Sequence, residues 1–430
     1  MQSDVMPHRV IFIHQNLPGQ FKHLLAYCAQ NACFEVVVVG EKKRLLVNFR
    51  RAVPNVTFYG YDVDEISRSQ VPVELWTTTN AMRRGRAVAL CLNRIKDSGF
   101  VPDVIYGHPG WGEMLHVRDV FPRARVLNYC EFYFNRDGQD VGFDSEFQRS
   151  ETDDFRVRTD NMTQLVSLVE ADGGISPTQW QRSRYPQLLQ SSISVVHDGI
   201  DLDTVTPDPS AAITLGQTSI RLDRSVPVIT FVSRNLEPYR GFHIFMRSLP
   251  SILKNVPNAH VLIVGGDDVS YSRKLADGWT YRTLMLNELS HRIDLSRVHF
   301  LGRISYGQYL NVLRLSTAHV YLTYPFVLSW SMLEAMATGA VVVGSRTAPV
   351  EEVIKHGANG VLVDFFSPSE IAEAVSDICH RREDFTEMRF AARKTIEVAF
   401  DLRRNCLQEQ LRLLCQDHDY SQADAQVESA

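Results

Sequence analysis

Residues 318–345 read "AHVYLTYPFVLSWSMLEAMATGAVVVGS". An apolar run ends at Tyr324, Pro325 breaks the regular chain, and helical spacing begins near Ser329 or Ser331. Gly339 fits the position just past a helix C-terminus, and "AVVVGS" (340–345) opens a second apolar run. Strand, crossover helix and strand in immediate succession make the repeating unit of a parallel sheet.

The same alternation continues outward. "GVLVDF" (360–365) follows, and "VHFLGR" (298–303), "AHVLIVGG" (259–266) and "PVITFVSR" (227–234) precede. An earlier array holds "RVIFIH" (9–14), "FEVVVVG" (34–40), "DVIYGH" (103–108), "ARVLNY" (124–129), "GGISPT" (173–178) and "ISVVHDG" (193–199). The runs are apolar throughout, which suits strands buried on both faces. Two successive arrays predict an α/β protein with two Rossmann-like, doubly wound parallel-sheet domains. The boundaries read as 1–205 and 206–402, with a helix at about 403–418 packing back on the first domain and a disordered polar tail at 419–430. The Pro-, Thr- and Asp-rich stretch 201–225 reads as the linker. "SPSE" (367–370) supplies Ser at a helix N-cap, Pro at N1 and Glu at N3.

The chain has 430 residues, 44% hydrophobic and 22% charged, with a formal net charge of −5. That balance carries no polyanion-binding signal, so no nucleic-acid partner is expected. Seven scattered cysteines without a CxxC pair argue for a reducing compartment. No signal-peptide core or long apolar span is visible. A cytoplasmic protein is expected. Arg83, Arg84, Arg86, Arg94 and Lys96, with "KKR" (42–44) and "RR" (50–51), read either as a solvated face or as a peripheral contact with an anionic inner-membrane face or phosphorylated acceptor.

Ligands of open parallel sheets sit beyond the carboxyl ends of the strands. Arg234 ends one strand, and Arg240-Gly241 follows on the same loop. Two guanidiniums beside a glycine suit a diphosphate; the alternative is pairing with Glu237. Glu334 has two readings. It closes a capping box on Ser331, or it accepts hydrogen bonds from a ribose diol. His108, His14 and His197 also stand at strand ends. "DVD" (62–64) reads as a helix cap. With no HExxH or His/Cys cluster, no metal and no cofactor are expected.

Several of these segments together resemble retaining glycosyltransferases of family 4, which have the two-domain GT-B fold. "YPFVLSWSMLEAMATG" is similar to the family's Glu-(seven residues)-Glu signature followed by Ala-Met-Ala-x-Gly. "FVSRNLEPYRGF" resembles its Gly-Arg-…-Lys-Gly segment, "VHFLGRISYGQYLNVLRLSTAHVYL" the segment before the acidic signature, and "HDGID" (197–201) its Asn-Gly-Val-Asp turn. "HQNLPGQF" (14–21) resembles a bacterial subgroup beginning His-Gln-Asn-x-Pro-Gly-Gln-Phe. The resemblance implies two domains across a cleft and metal-independent, retaining transfer from a UDP- or GDP-linked sugar to a carbohydrate, lipid-linked or protein acceptor. Bacterial surface polysaccharide or glycoconjugate synthesis is the implied setting.

It also implies roles. Glu334 would hold the nucleotide ribose, and Arg234 and Arg240 the leaving diphosphate. The backbone of Leu328, Ser329 and Trp330 would cradle phosphate and sugar. Gly302 and Arg303 would flank the base, His108 would touch the donor sugar, and Gly19 would let the N-terminal loop approach the donor. This sequence departs from the pattern at three places. Phe326, or Tyr324 if an insertion is allowed, replaces the first glutamate. Arg240 replaces lysine, and Pro18-Gly19 replaces Gly-Gly. A nucleotide-sugar epimerase, with Glu113 and Glu131 as strand-end acids, and a non-catalytic nucleotide-sugar binder are the rival expectations.

Overall fold

The computed structural model describes residues 7–44, 53, 55–147, 151–216 and 220–416. Arg50, Arg51 and the tail 419–430 lie outside the described residues. Packing divides the chain after Gly199 and again after Leu402: the last segment belongs with the first unit, and residues 200–402 form the second.

In the first unit the strands are β1 (His8–Ile13), β2 (Phe34–Glu41), β3 (Val56–Tyr61), β4 (Val104–Gly107), β5 (Arg125–Tyr129), β6 (Gly173–Ser176) and β7 (Ile193–Val195). They form one sheet in the order β3-β2-β1-β4-β5-β6-β7, and every neighbouring pair is parallel. Alternate residues of a strand enter opposite cores. Val10, Phe12, Val36 and Val38 pack with Leu411 and Leu414 of the helix Leu407–Leu414. Ile11, Ile13, Val37 and Val39 pack with Val88, Leu92 and Ile95 of the helix Trp76–Asp97. A strand with cores on both faces has no use for polar alternation, hence the unbroken apolar runs.

The second unit begins with an antiparallel hairpin, β8 (Ala212–Leu215) and β9 (Ile220–Asp223). The linker expectation for 201–225 is corrected here. Leu215 and Leu222 are buried against Val228, Leu262 and Leu315, so the segment is part of the second core. The remaining strands are β10 (Val228–Asn235), β11 (His260–Gly266), β12 (Val298–Gly302), β13 (Ala318–Tyr321), β14 (Val341–Ser345) and β15 (Val361–Val363), ordered β12-β11-β10-β13-β14-β15. All pairs in this sheet are parallel.

In each sheet the strand order reverses once, between β1 and β4 and between β10 and β13. Such a switch point opens a crevice at the carboxyl ends of the two strands. The residues that follow β1, β4, β10 and β13 are therefore the ones to inspect.

One local expectation changes and two gain detail. "DVD" caps no helix: Asp62 pairs with Lys42, and the next 3-10 turn is capped by Ser67. In "SPSE", Ser367 caps as expected by accepting from the Glu370 amide at 3.2 Å, but Glu370 reaches the Asp364 amide at 2.9 Å instead of closing a box. In the basic segment Arg83, Arg86, Arg94 and Lys96 are exposed, as on a solvated face, and only Arg84 is buried. Arg83 donates to Asp64 O, Arg94 to Gly60 O and Lys96 to Val120 O, while buried Arg84 holds Glu65 and Trp111 O. No helix among the described residues is long and apolar enough to cross a membrane.

Candidate active site

In the second unit, β10 runs out through Arg234 and Asn235 into a 3-10 turn, Pro238–Arg240. Gly241 ends the turn with φ +67°, and a Cβ there would fall 2.3 Å from Leu322. Only glycine lets this turn lie flat against the residue after β13. Arg240 is thereby aimed across the switch point. Its Nη1 donates to Thr323 Oγ1 at 2.8 Å, Val327 O at 3.0 Å and Tyr321 Oη at 3.2 Å. The guanidinium carbon lies 5.9 Å from the Phe326 ring centre and 6.0 Å from that of Tyr271. Planar cations stack favourably on such rings.

Pairing of the arginines with Glu237 is not what the structure has. Glu237 is buried and accepts the backbone amides of Ser270, Tyr271 and Ser272 at 2.9–3.1 Å, so it anchors the loop after β11. Arg234 is exposed. Arg303 donates to Asn235 Oδ1 at 3.0 Å, and Asn235 donates to Ser270 Oγ at 2.8 Å. Gly302, with φ +65°, ends β12 immediately before it.

After β13, Tyr324 and Phe326 turn inward and are buried. Phe326 packs 4.7 Å from Tyr271 and 5.5 Å from Tyr239, and Tyr324 packs 4.7 Å from Tyr239. Whichever residue holds the place of the family's first glutamate, an aromatic ring stands there. Leu328 is buried. The Ser329 amide donates to Tyr321 Oη at 2.8 Å, and burial pushes the Tyr321 hydroxyl pKa up, only partly offset by Arg240.

The helix Trp330–Ala337 starts from Ser329, whose side chain accepts from the Ser331 amide at 3.3 Å. Ser331 is thus the second helical residue, and the capping-box reading of Glu334 is corrected: the glutamate lies two residues beyond the position that closes a box on Ser329. Its carboxylate accepts instead from Tyr306 Oη at 2.7 Å and from Tyr309 Oη in a shorter bond. Both tyrosines sit on the neighbouring helix Tyr306–Leu315. Burial and the Glu334 charge raise both tyrosine pKa values, so they stay protonated and act as donors.

The first unit builds a different site at its switch point. His14 follows β1 and His108 follows β4; both are buried, with ring centres 5.6 Å apart. Trp111 stacks on His108 at 4.1 Å. His14 Nδ1 accepts the Asn16 amide at 2.9 Å, and His108 Nδ1 accepts the Gly110 amide at 3.1 Å. Each imidazole therefore carries its proton on Nε2. His14 Nε2–H donates to Gln20 Oε1 at 2.9 Å, Gln20 Nε2 donates to Glu131 Oε1 at 2.6 Å, and His108 Nε2–H donates to Glu131 Oε2 at 3.2 Å. Burial, reinforced by His108, depresses the His14 pKa to about 3. Burial alone would raise the Glu131 pKa, but the His108 and Gln20 bonds outweigh it and keep the carboxylate ionised. Pro18 and Gly19 turn the chain back toward this cluster. Gly19 has φ +49°, and a Cβ on it would fall 2.7 Å from the His14 ring. His197, also buried, has its pKa depressed to about 3 by burial alone and bonds its own turn at Gly199.

Arg240, Phe326 and the Ser329 helix start are thus brought together at one switch point, and Glu334 shares the helix with Trp330. His108, Pro18 and Gly19 gather around His14 at the other. Sequence reading did not single out Tyr306 and Tyr309, Tyr321 and Thr323, or Gln20. The spacing "YGQY" put two hydroxyls one helical turn apart, a usable hint; nothing in the sequence paired them with Glu334.

Known proteins resemble this chain in both sequence and fold. Residues 33–205 match the family model described as "Glycosyl transferase family 4 group", and residues 219–395 match "Glycosyl transferases group 1". The chain is 27% identical over 217 residues to a D-inositol 3-phosphate glycosyltransferase of Mycolicibacterium vanbaalenii, covering 50% of this chain and 43% of that one. It is 26% identical over 286 residues to a GDP-mannose-dependent alpha-(1-6)-phosphatidylinositol monomannoside mannosyltransferase of Mycobacterium tuberculosis, covering 64% and 67%. The matched regions thus span roughly half to two thirds of these relatives. Among solved structures, a sucrose-phosphate synthase of Thermosynechococcus elongatus superposes with TM-score 0.69 at 16% identity, covering 97% of this chain and all of that one. Anabaena HepE in complex with UDP and glucose gives TM-score 0.66 at 16% identity, covering 96% and 100%. The fold is that of GT-B proteins, with two Rossmann-like sheets in succession.

Proposed function

We propose, from the premise that this chain belongs to the family 4 and group 1 glycosyl transferases, that it moves a sugar from a nucleotide diphosphate sugar to an acceptor hydroxyl, with retention and without a metal ion. The observation that carries this reading is Arg240, held by three acceptors, one on the last residue of β13 and two on the segment after it, beside the start of a helix. A pre-aimed guanidinium and helix N-terminal amides are what a leaving diphosphate needs.

In this reading the bond from the sugar's anomeric carbon to the diphosphate oxygen breaks, and the bond to the acceptor oxygen forms on the same face. The acceptor proton passes to a phosphate oxygen of the leaving group. Arg240 meets the charge that grows there, with Arg234 at the rim, and such preorganised charge is worth about 3–4 kcal/mol per donor lost. Glu334 takes the ribose hydroxyls. Gly302 and Arg303 flank the base. The backbone of Leu328, Ser329 and Trp330 lies along the phosphate and sugar, with Phe326 at the sugar. Peripheral membrane contact through the exposed Arg83, Arg86, Arg94 and Lys96 is not needed for this chemistry.

The test is a panel of UDP- and GDP-sugars, incubated with and without acceptors in EDTA, with the anomeric configuration of the product read by NMR. Transfer with retention supports the proposal. Interconversion of sugar epimers points to the epimerase, and tight binding without turnover points to a non-catalytic binder; either result ends it.

A further inference from the structure

The hydrogen bonds around the switch point of the first unit have one direction. The amides of Asn16 and Gly110 fix both imidazoles with Nε2–H outward. His14 then fixes the orientation of the Gln20 amide, which turns its NH₂ toward Glu131. His108 donates to the other Glu131 oxygen. Donors therefore face both oxygens of residue 131, so the site calls for a carboxylate. An amide here would set an NH₂ against a donor. Flipping Gln20 to relieve that clash would set its NH₂ against His14 Nε2–H.

His14 and His108 are 2% and 5% exposed, whereas the Glu131 side chain keeps 23% exposure. The buried members thus converge on one anion that faces outward, at the carboxyl edge where parallel sheets take ligands. An anion at such a point disfavours phosphate and favours hydroxyl donors. Hydroxyls that donate to a carboxylate make charge-assisted bonds.

We propose that Glu131 is the acceptor-recognition residue, accepting hydrogen bonds from hydroxyls adjacent to the reacting one on a neutral sugar or polyol, with Gln20 and His108 as positioning residues. The inference rests on the transferase reading. In that scheme the reacting hydroxyl gives its proton to the leaving phosphate, so Glu131 holds the neighbouring hydroxyls and sets which one is presented. Specificity of this kind can be steep, because an acceptor lacking the matching hydroxyl leaves the carboxylate without a partner.

The probes are methyl α-mannoside, methyl α-glucoside, methyl β-galactoside and myo-inositol, with their phosphates as controls, followed by monodeoxy forms of the best neutral acceptor. Wild type should transfer to at least one neutral probe and lose roughly ten- to hundredfold in kcat/KM with one deoxy form. Glu131→Gln should lose a similar factor with the parent acceptor but little more with that deoxy form. Donor KM and acceptor-independent donor hydrolysis should stay near wild type. Glu131→Asp, which keeps the charge, tests the same point if the Gln variant does not fold. Additive losses overturn the proposal, as does an unchanged acceptor KM and kcat in both variants. Transfer only to phosphorylated probes, or to none of the panel by an enzyme that hydrolyses donor, also overturns it. A wild type that turns over no donor fails earlier, at the transferase reading itself.

Discussion

Glu334→Gln separates scaffold from ligand contact at one atom's cost. The helix is capped by Ser329, so a change at residue 334 leaves the cap untouched. Gln keeps one oxygen for one tyrosine hydroxyl and offers an NH₂ to the other once that hydroxyl rotates. The folded chain should lose well under ~1 kcal/mol, within the range of a neutral hydrogen-bond exchange. Ribose hydroxyls bonded to a carboxylate gain the charge-assisted increment, about 1.5–3 kcal/mol, and Gln forfeits most of it. Binding of UDP or GDP, whichever is preferred, should weaken roughly tenfold or more. Glu334→Ala should do both. It strips a partner from Tyr309 and from Tyr306, which at 46% exposure can turn to water. The expected stability loss is about 1–3 kcal/mol, a fall of several degrees in Tm. Calorimetric titration with each nucleotide and melting without ligand measure the two effects. If Gln binds as tightly as wild type while Ala only lowers Tm, Glu334 is a strut for the two tyrosines and the ribose role is wrong.

Arg240→Ala should lower kcat/KM by about 10²-fold, the usual cost of removing a transition-state charge donor; a folded variant with an unchanged rate removes Arg240 from the chemistry. Activity should survive EDTA, and its loss on chelation with recovery on adding Mg²⁺ or Mn²⁺ would replace arginine by metal as the charge sink. His319, buried beside Thr230 Oγ1 at 2.8 Å, has its pKa depressed to about 3 by burial, against about 6.5 unfolded. The unfolded chain takes up the proton first, so stability present above pH ~6.5 is lost as pH falls toward 3. His319→Gln should flatten the decline of Tm between pH ~6.5 and ~4, and an unchanged slope would show that other groups carry it.

Much of this protein is legible from local chemistry. Val36 to Val39 are buried on alternate faces of one sheet, and a strand with two covered faces must be apolar at every position. That constraint is local, so the strands and the α/β class could be read. The hairpin of 212–223 escaped because its strands are short and sit in Thr- and Asp-rich sequence; only its packing on Val228 and Leu262 makes them strands. Capping misled at Glu334, where "SMLE" has the right spacing but Ser329, two residues earlier, takes the cap.

Local sequence was enough for the two arrays, the glycines that turn at 19 and 241, and the arginines at the end of β10 and on the loop that follows. Tertiary structure alone decided the partnerships. Glu334 met Tyr306 and Tyr309 because two helices pack side by side, and Arg240 met Thr323 because β10 and β13 are neighbours across a reversal in strand order. His14, Gln20, His108 and Glu131 come from three loops that share an edge only once β1, β4 and β5 are laid in register. Periodicity records which face of an element is buried, but it carries no record of which element lies next to it, and a site at a switch point is made by that adjacency.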